Sequence, residues 1–226
     1  MLAALHQVER NRGRAGVDGM TIAKLRPWLR EHWAMIKAKL LEGRYQPRAI
    51  RRVVVSKPGG GERIRAIPTV VDRLIQQTIA QVLVPIFAPQ FSDHRYGFRS
   101  GRSAVQAVRE TQAHQQSGRR WAVDLDLEKF FDFVNHDILL ARLRRWVADA
   151  VQLSLIGHDL RAGMIEKGIE TTRTQGSPQG GPLSPKLSKV LLAGFDKELR
   201  LEDESAGLSG RSLETITPVI LAVGVG

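Results

Sequence analysis

Residues 49–83 constrain the fold of this chain more than any other stretch. Ala49-Ile-Arg-Arg-Val-Val-Val55 is rich in β-branched residues and predicts a strand. Lys57-Pro-Gly-Gly-Gly61 cannot continue it and reads as a turn. Glu62-Arg-Ile-Arg-Ala-Ile67 alternates strictly, so it predicts the returning strand of a hairpin with Arg63 and Arg65 on one face and Ile64 on the other. Pro68-Thr69 then opens a helix, with Thr69 as N-cap and Asp72 three residues on. Val71, Leu74, Ile75, Thr78, Ile79, Val82 and Leu83 form one helical stripe, which predicts a core-facing side.

The flanking segments follow the same logic. Met1 to Arg10 reads as the start of a polar helix, and Gly13 to Gly19 as a turn-rich loop. A second helix is expected from Thr21 through Leu25, Trp28, Leu29 and Trp33 to Leu40. Ser103 with Gln106 predicts a capping box on a helix through Val105 and Val108. Trp121 to Leu127 predicts a short strand. Asn135 is expected to cap a helix carrying Ile138, Leu139, Leu143 and Val147, and a last helix follows Pro185 with Leu187, Leu191, Phe195 and Leu199 inward. Interleaved helices and short strands place the chain in the α+β or α/β class.

Charge narrows the partners. Lys and Arg number 34 against 23 Asp and Glu, a formal +11, which favours a polyanion: nucleic acid first, an anionic membrane surface second. There is no cysteine, which excludes disulfides, thiolate metal sites and thiol nucleophiles. No secretory signal pattern opens the chain, and its uncharged apolar stretch at 215–226 is too short to span a bilayer. A cytoplasmic protein without a membrane partner is the expectation.

Three places can carry chemistry. Asp124 and Asp126 sit two apart on the expected strand, so both carboxylates point the same way. Like charges on one face repel, and a hard divalent cation such as Mg²⁺, which takes oxygen ligands, resolves the conflict. The alternative is an exposed edge strand with both acids hydrated. Phe130 and Phe131 lie just beyond as an aromatic wall. Gly176-Ser-Pro-Gln179-Gly-Gly-Pro-Leu-Ser-Pro185 is a backbone-rich loop that a ligand can approach closely, with one amide, Gln179, at its middle; taken alone it reads as a plain structural turn. Arg63 and Arg65 beside a Gly-rich tip suit a triphosphate, or are a solvated basic face. The tip is not a P-loop, because it lacks the Gly-Lys-Ser/Thr ending and a following helix.

In order along the chain, Gly16-Val-Asp-Gly-Met-Thr21, Lys57-Pro-Gly-Gly-Gly, Ile67-Pro-Thr-Val-Val-Asp-Arg73, Tyr96-Gly-Phe-Arg99, Asp126-Leu-Glu-Lys-Phe-Phe-Asp132 and Gln175-Gly-Ser-Pro-Gln-Gly-Gly-Pro-Leu-Ser-Pro185 resemble the reverse transcriptase domain of group II intron-encoded proteins. The resemblance runs over about residues 10 to 200. It implies right-hand polymerase fingers and a partial palm, with helices packed on short antiparallel strands. It also implies nucleotidyl transfer with Mg²⁺, serving intron mobility and assisting splicing, on an intron RNA template with a DNA primer and deoxynucleoside triphosphates. By the same resemblance Asp126 is the catalytic metal ligand, with Asp124 second to it. Phe131 lies beneath the incoming sugar as a gate against a 2′-hydroxyl. Arg63 and Arg65 hold the triphosphate, and Gln179 stands near the nucleotide's 3′ side. Gly16, Asp18 and Lys57 fall to the RNA. His136 and the Tyr96 string read as structural.

The division expected is a basic helical extension over 1–44, the reverse transcriptase domain over 45–200 and a divergent tail over 201–226. The family's Tyr-x-Asp-Asp hairpin should follow the last helix, yet the last tyrosine is Tyr96 and no Asp-Asp pair occurs. The expectation is therefore an incomplete polymerase, lacking thumb, maturase and endonuclease domains. A non-catalytic fragment that binds intron RNA, or a decayed reading frame, is the alternative.

Overall fold

A computed structural model describes residues 1–56, 62–94, 96–97, 99, 101–118, 127 and 130–193. Its elements run α1 (Leu2–Arg10), α2 (Ile22–Leu41), β1 (Ile50–Ser56), β2 (Glu62–Ile67), α3 (Val70–Phe87), α4 (Ala104–Gln116), α5 (His136–Arg144), α6 (Ala150–Arg161), β3 (Met164–Glu166), β4 (Ile169–Thr171) and α7 (184–193). Short 3₁₀ turns occupy Ala88–Gln90 and Phe130–Asp132. The class is α+β. Two compact units divide the chain: Met1–Pro85 with Lys129–Ser188, and Ile86–Glu128 with Lys189–Gly226.

In the first unit the sheet order is β2-β1-β3-β4. The hairpin forms as expected, with Arg51 opposite Ile67 and Ser56 opposite Glu62. The strands are not all antiparallel, which corrects the expectation. β1 runs parallel to β3, pairing Ile50 with Met164, because the chain returns to the sheet through α5 and α6 rather than through a turn. The β3–β4 hairpin and α6 were not anticipated. The hairpin's signal was present in Lys167-Gly168, both of which adopt positive φ at the turn. Beneath the sheet Ile50, Ala66 and Ala162 are buried, with Met164 packed against them. Toward its tip the β1–β2 hairpin leaves the core, so Val54, Val55 and Ile64 are exposed despite their apolar character.

α3 is the axis of this unit, and its burial is wider than a stripe. Val70, Val71, Leu74 and Ile75 are buried, and so are the polar Asp72, Arg73 and Gln76 between them. Val82, assigned to the core by periodicity, is instead 49% exposed. α5 is capped by the Asn135 side chain, which accepts from Ile138 N at 3.0 Å. Its buried face is Leu139, Leu140 and Leu143, while Ile138 faces solvent and Val147 packs beyond the helix end. Asp149 caps α6 by accepting from Val151 N and Gln152 N. α7 begins at Ser184, one residue before Pro185, and Leu187 is inward as expected. Phe195 and Leu199 lie outside the described residues.

In the second unit the Ser103–Gln106 capping box is formed in both directions. α4 buries Ala107 and exposes Val105 and Val108. Glu110 accepts from the Tyr96 hydroxyl and pairs with His94, while the Arg102 guanidinium lies 5.3 Å from the Tyr96 ring centre. Arg99 Nη1 donates to Ser92 O at 2.7 Å. Tyr96 and Arg99 thus serve architecture, as the sequence reading assigned them.

Candidate active site

The loop after β4 is where the sequence-selected residues converge. Ser177 N donates to Phe131 O at 2.7 Å and Gly176 N to Val134 O at 2.8 Å, so the loop is stitched to the 3₁₀ turn carrying Phe131. Two residues on, Ala66 N donates to Gln179 O at 2.8 Å. That bond ties the loop to β2, the strand holding Arg63 and Arg65. Gly180 follows at φ +138°, and a side-chain carbon there would stand 2.2 Å from Ala66 O. Only glycine allows this approach. Ser184 Oγ donates to Pro178 O at 2.6 Å and closes the loop onto the start of α7.

Phe131, Gln179 and the arginine strand therefore meet in one place. Phe131 is half-buried and packs edge-on against Phe130, with ring centres 5.5 Å apart. Gln179 is half-buried, its main chain held and its neighbour Gly180 open to solvent. In the ladder Arg65 stands opposite Val53 and Arg63 opposite Val55, which puts Arg65 nearer the loop; its side chain is exposed. Asp124, Asp126 and Lys57 lie outside the described residues. Among the described residues no group of three or more His, Asp or Glu side chains converges as a metal site.

Residues 13–19 dock on the start of α3. Arg73 Nη2 donates to Arg14 O at 2.6 Å, and a side-chain carbon on Gly16 would meet Thr69 Cα at 2.7 Å. Asp18 is half-buried and accepts from Met20 N at 3.1 Å. The same helix start is braced from inside. Asp72 accepts from Tyr45 Oη at 2.7 Å, Thr69 Oγ1 at 2.5 Å and Arg48 N at 3.3 Å, while Thr69 Oγ1 caps Asp72 N. Burial raises the Asp72 carboxyl above its ordinary range in spite of these donors.

Two further residues brace the loop: His136, which the sequence reading takes as structural, and Asp159, which it passes over. His136 is buried, and its Nε2 lies 2.6 Å from Gly176 O, so that nitrogen carries the proton and donates. Burial holds its pKa below the ordinary imidazole value. It thereby acts as a strut under the Gly176 end of the loop. Asp159, on α6, is fully buried and accepts from Gln76 Nε2 at 2.6 Å. Burial pushes its carboxyl up to about 7. No motif marks Asp159, because a single acid in an amphipathic helix ordinarily signals the solvent side.

A stability dependence follows. Asp159 binds its proton more tightly folded than unfolded, so the folded state gains a proton relative to the unfolded one between about pH 4 and 7. Stability should fall as pH rises through that window, by up to roughly 4 kcal/mol. His136 acts in the opposite sense, costing stability as pH drops below its ordinary value of 6.5. Urea melts from pH 4 to 8 should show the decline, and Asp159→Asn should flatten it; an unchanged slope in that variant would assign the effect elsewhere.

Residues 55–208 match the family model described as reverse transcriptase (RNA-dependent DNA polymerase). Protein YkfC of Escherichia coli K12 is 35% identical over 188 residues, covering 81% of this chain and 49% of YkfC. Group II intron-encoded protein LtrA of Lactococcus lactis subsp. cremoris is 35% identical over 159 residues, covering 70% of this chain and 26% of LtrA. The chain thus spans about half the length of one curated relative and about a quarter of the other. Among solved structures, a chain of a partial Cas6-RT-Cas1–Cas2 complex superposes with a TM-score of 0.53 at 24% identity, covering 89% of this chain and 34% of that one, a likeness of fold. With more than half of its residues matched by that family model, in the region that assembles the loop, the turn and the arginine strand, the chain belongs to the reverse transcriptase (RNA-dependent DNA polymerase) family.

Proposed function

We propose that this chain is the fingers and part of the palm of an RNA-directed DNA polymerase encoded by a group II intron, acting on intron RNA with a DNA primer and deoxynucleoside triphosphates. The observation that carries the reading is the meeting of the Phe131 turn, the Gln179 loop and the arginine strand through two main-chain hydrogen bonds. Its relatives support it: LtrA is named as a group II intron-encoded protein.

Each residue then has a task. Arg65 and Arg63 neutralise the triphosphate from β2. Phe131 lies under the sugar and excludes a 2′-hydroxyl. Gln179 offers its amide to the nucleotide, its backbone fixed by Ala66 so that only the side chain has to be ordered on binding. Gly16, Asp18 and Lys57 are assigned to the template strand, Gly16 through the loop that it seats on Thr69. Family members work with divalent metal ions, and here Mg²⁺ is the proposed ion. Asp126, seconded by Asp124, would hold it, since carboxylate oxygens suit a hard cation. Bound there, the metal supplies activation of the primer 3′-hydroxyl and a hold on the departing pyrophosphate.

Primer extension on an RNA template with Mg²⁺ is the test. Incorporation is expected; salt-sensitive RNA binding without incorporation would leave the chain as an RNA-binding module and overturn the polymerase reading. Within an active chain, Arg65→Ala should raise the KM for deoxynucleoside triphosphate about 10- to 100-fold, the range for losing a charged hydrogen-bonding partner of phosphate. Steady-state titration of one nucleotide checks this, and an unchanged KM would remove Arg65 from the triphosphate site. RNA affinity should fall steeply between 50 and 200 mM salt, about 10-fold or more, as counterion release by a +11 chain requires.

A further inference from the structure

Under the Gln179–Gly181 segment lies a chain of buried polar groups that the polymerase reading does not use. Gly181 rests directly on the Gln76 amide, where a side-chain carbon would come within 2.4 Å of Gln76 Oε1. Gln76 is itself buried, and its amide is oriented by one bond, Nε2 donating to Asp159 Oδ1 at 2.6 Å. Gln76 Oε1 and Arg173 Nη1 are both buried and have no hydrogen-bond partner among the described residues. Arg173 stands three residues before Gly176, in the stem that leads into the loop, close enough for its charge and that of Asp159 to act on one another.

We propose that Asp159 is a positioning residue for the Gln179–Gly181 loop, acting through Gln76 on the floor of the loop and through Arg173 on its stem. This rests on the reading of the loop as a nucleotide contact, and deepens it. The physical reason is geometric. A buried amide with one hydrogen bond is free to rotate once that bond is lost, and Gln76, which lies against Gly181, is then no longer fixed beneath the loop. Asp159 sits on α6, outside the loop, so its effect reaches the nucleotide only through Gln76 and Arg173.

The protonation state of Asp159 sets how firmly the floor is held. Its surroundings from each packed element are Asp72 and Gln76 on α3, Tyr45 before β1, and Arg173 on the stem. Asp72 opposes ionisation and Arg173 favours it, while burial, the largest influence, opposes it. Opening the loop admits water to Asp159 and relieves that penalty, so ionisation favours the open loop and protonation the closed one.

Hydrogen–deuterium exchange on the whole chain, expressed as protection factors, tests the proposal without requiring catalysis. In the wild type, amides of 176–183 should lose about 10-fold in protection between pH 6 and 8, with α1 and α2 amides as the internal standard. Asp159→Asn keeps an acceptor for Gln76 and cannot ionise, so its loop should stay protected at both pH values. Asp159→Leu removes the acceptor and should lose at least about 10-fold at both. His136, which also touches the loop at Gly176 O, titrates equally in all three proteins and is thereby separated. A loop that titrates in Asp159→Asn as in the wild type, or that keeps its protection in Asp159→Leu, would overturn the proposal. So would a loop loss no larger than the fall in global stability that urea melts give for the same protein at the same pH, which would mark Asp159 as a general stabiliser. Equilibrium dialysis of a Mg²⁺-bound deoxynucleoside triphosphate adds the functional arm. Weaker binding in Asp159→Leu with near wild-type binding in Asp159→Asn is expected; a wild type that binds no nucleotide would sink the polymerase reading while the exchange result stands independently.

Discussion

Gly180→Ala is expected to destabilise the protein by about 3 kcal/mol or more, out of proportion to a single methyl group on an exposed loop residue. Two penalties combine. The backbone sits at φ +138°, a conformation that side chains disfavour, and the added carbon would stand 2.2 Å from the Ala66 carbonyl oxygen. That oxygen belongs to a sheet strand, so it cannot rotate away as a side-chain end could. Relief has to come from breaking the Ala66 N to Gln179 O bond, which separates the loop from the arginine strand. Thermal melts should fall by roughly 6 to 12 °C for a chain of this size. Gly181→Ala offers the contrast, since its obstacle at 2.4 Å is the Gln76 amide oxygen, the end of a flexible side chain. It should cost less in melting temperature and act mainly on the loop. Equal losses at the two positions would mean that the Ala66 carbonyl yields and that the loop is not clamped to β2.

Asp126→Ala should abolish nucleotide incorporation, at least about 1000-fold, while leaving RNA affinity within about 2-fold. The two effects separate because Asp126 would hold a metal at the reaction centre, whereas RNA affinity comes from the summed positive charge of the chain. Asp124→Ala should lower incorporation less, by about 10-fold, as a secondary ligand. Single-nucleotide extension with a labelled primer, alongside filter binding of the same RNA, reads both quantities. Incorporation that survives the Asp126 substitution would remove that carboxylate from the chemistry. A parallel loss of RNA binding would show that the substitution had damaged the fold instead.

Local structure was largely legible because each signal resides in neighbouring residues. Thr69 with Asp72, Ser103 with Gln106, and Asn135 all cap helices where the sequence placed them. The 49–67 hairpin pairs in the register its alternation requires. Burial was less legible. Periodicity put Val82 inside and said nothing of Asp72, Gln76 or Asp159, because it assumes that a helix has one wet side. α3 has almost none over its first two turns. Its neighbours supply hydrogen-bond partners from Tyr45 and from α6, 27 and 83 residues distant in sequence. The β1–β3 pairing was equally out of reach, since a parallel partner more than 100 residues away leaves no local mark.

The candidate site divides along the same line. Residue chemistry raised Asp124 and Asp126, the Phe130–Phe131 pair, Gln179, Arg63 and Arg65 as candidates, and the family resemblance singled out Asp126 and Phe131 among them. The order of the motifs identified the family. What only the tertiary structure decided is how three of these pieces are joined: Ser177 to Phe131 O, Ala66 to Gln179 O, and Gly181 laid on a Gln76 amide held by Asp159. Hydrogen-bond partners and close approaches depend on where distant backbone lands after packing. A sequence names the groups able to make such contacts, and the packed chain alone determines which of them meet.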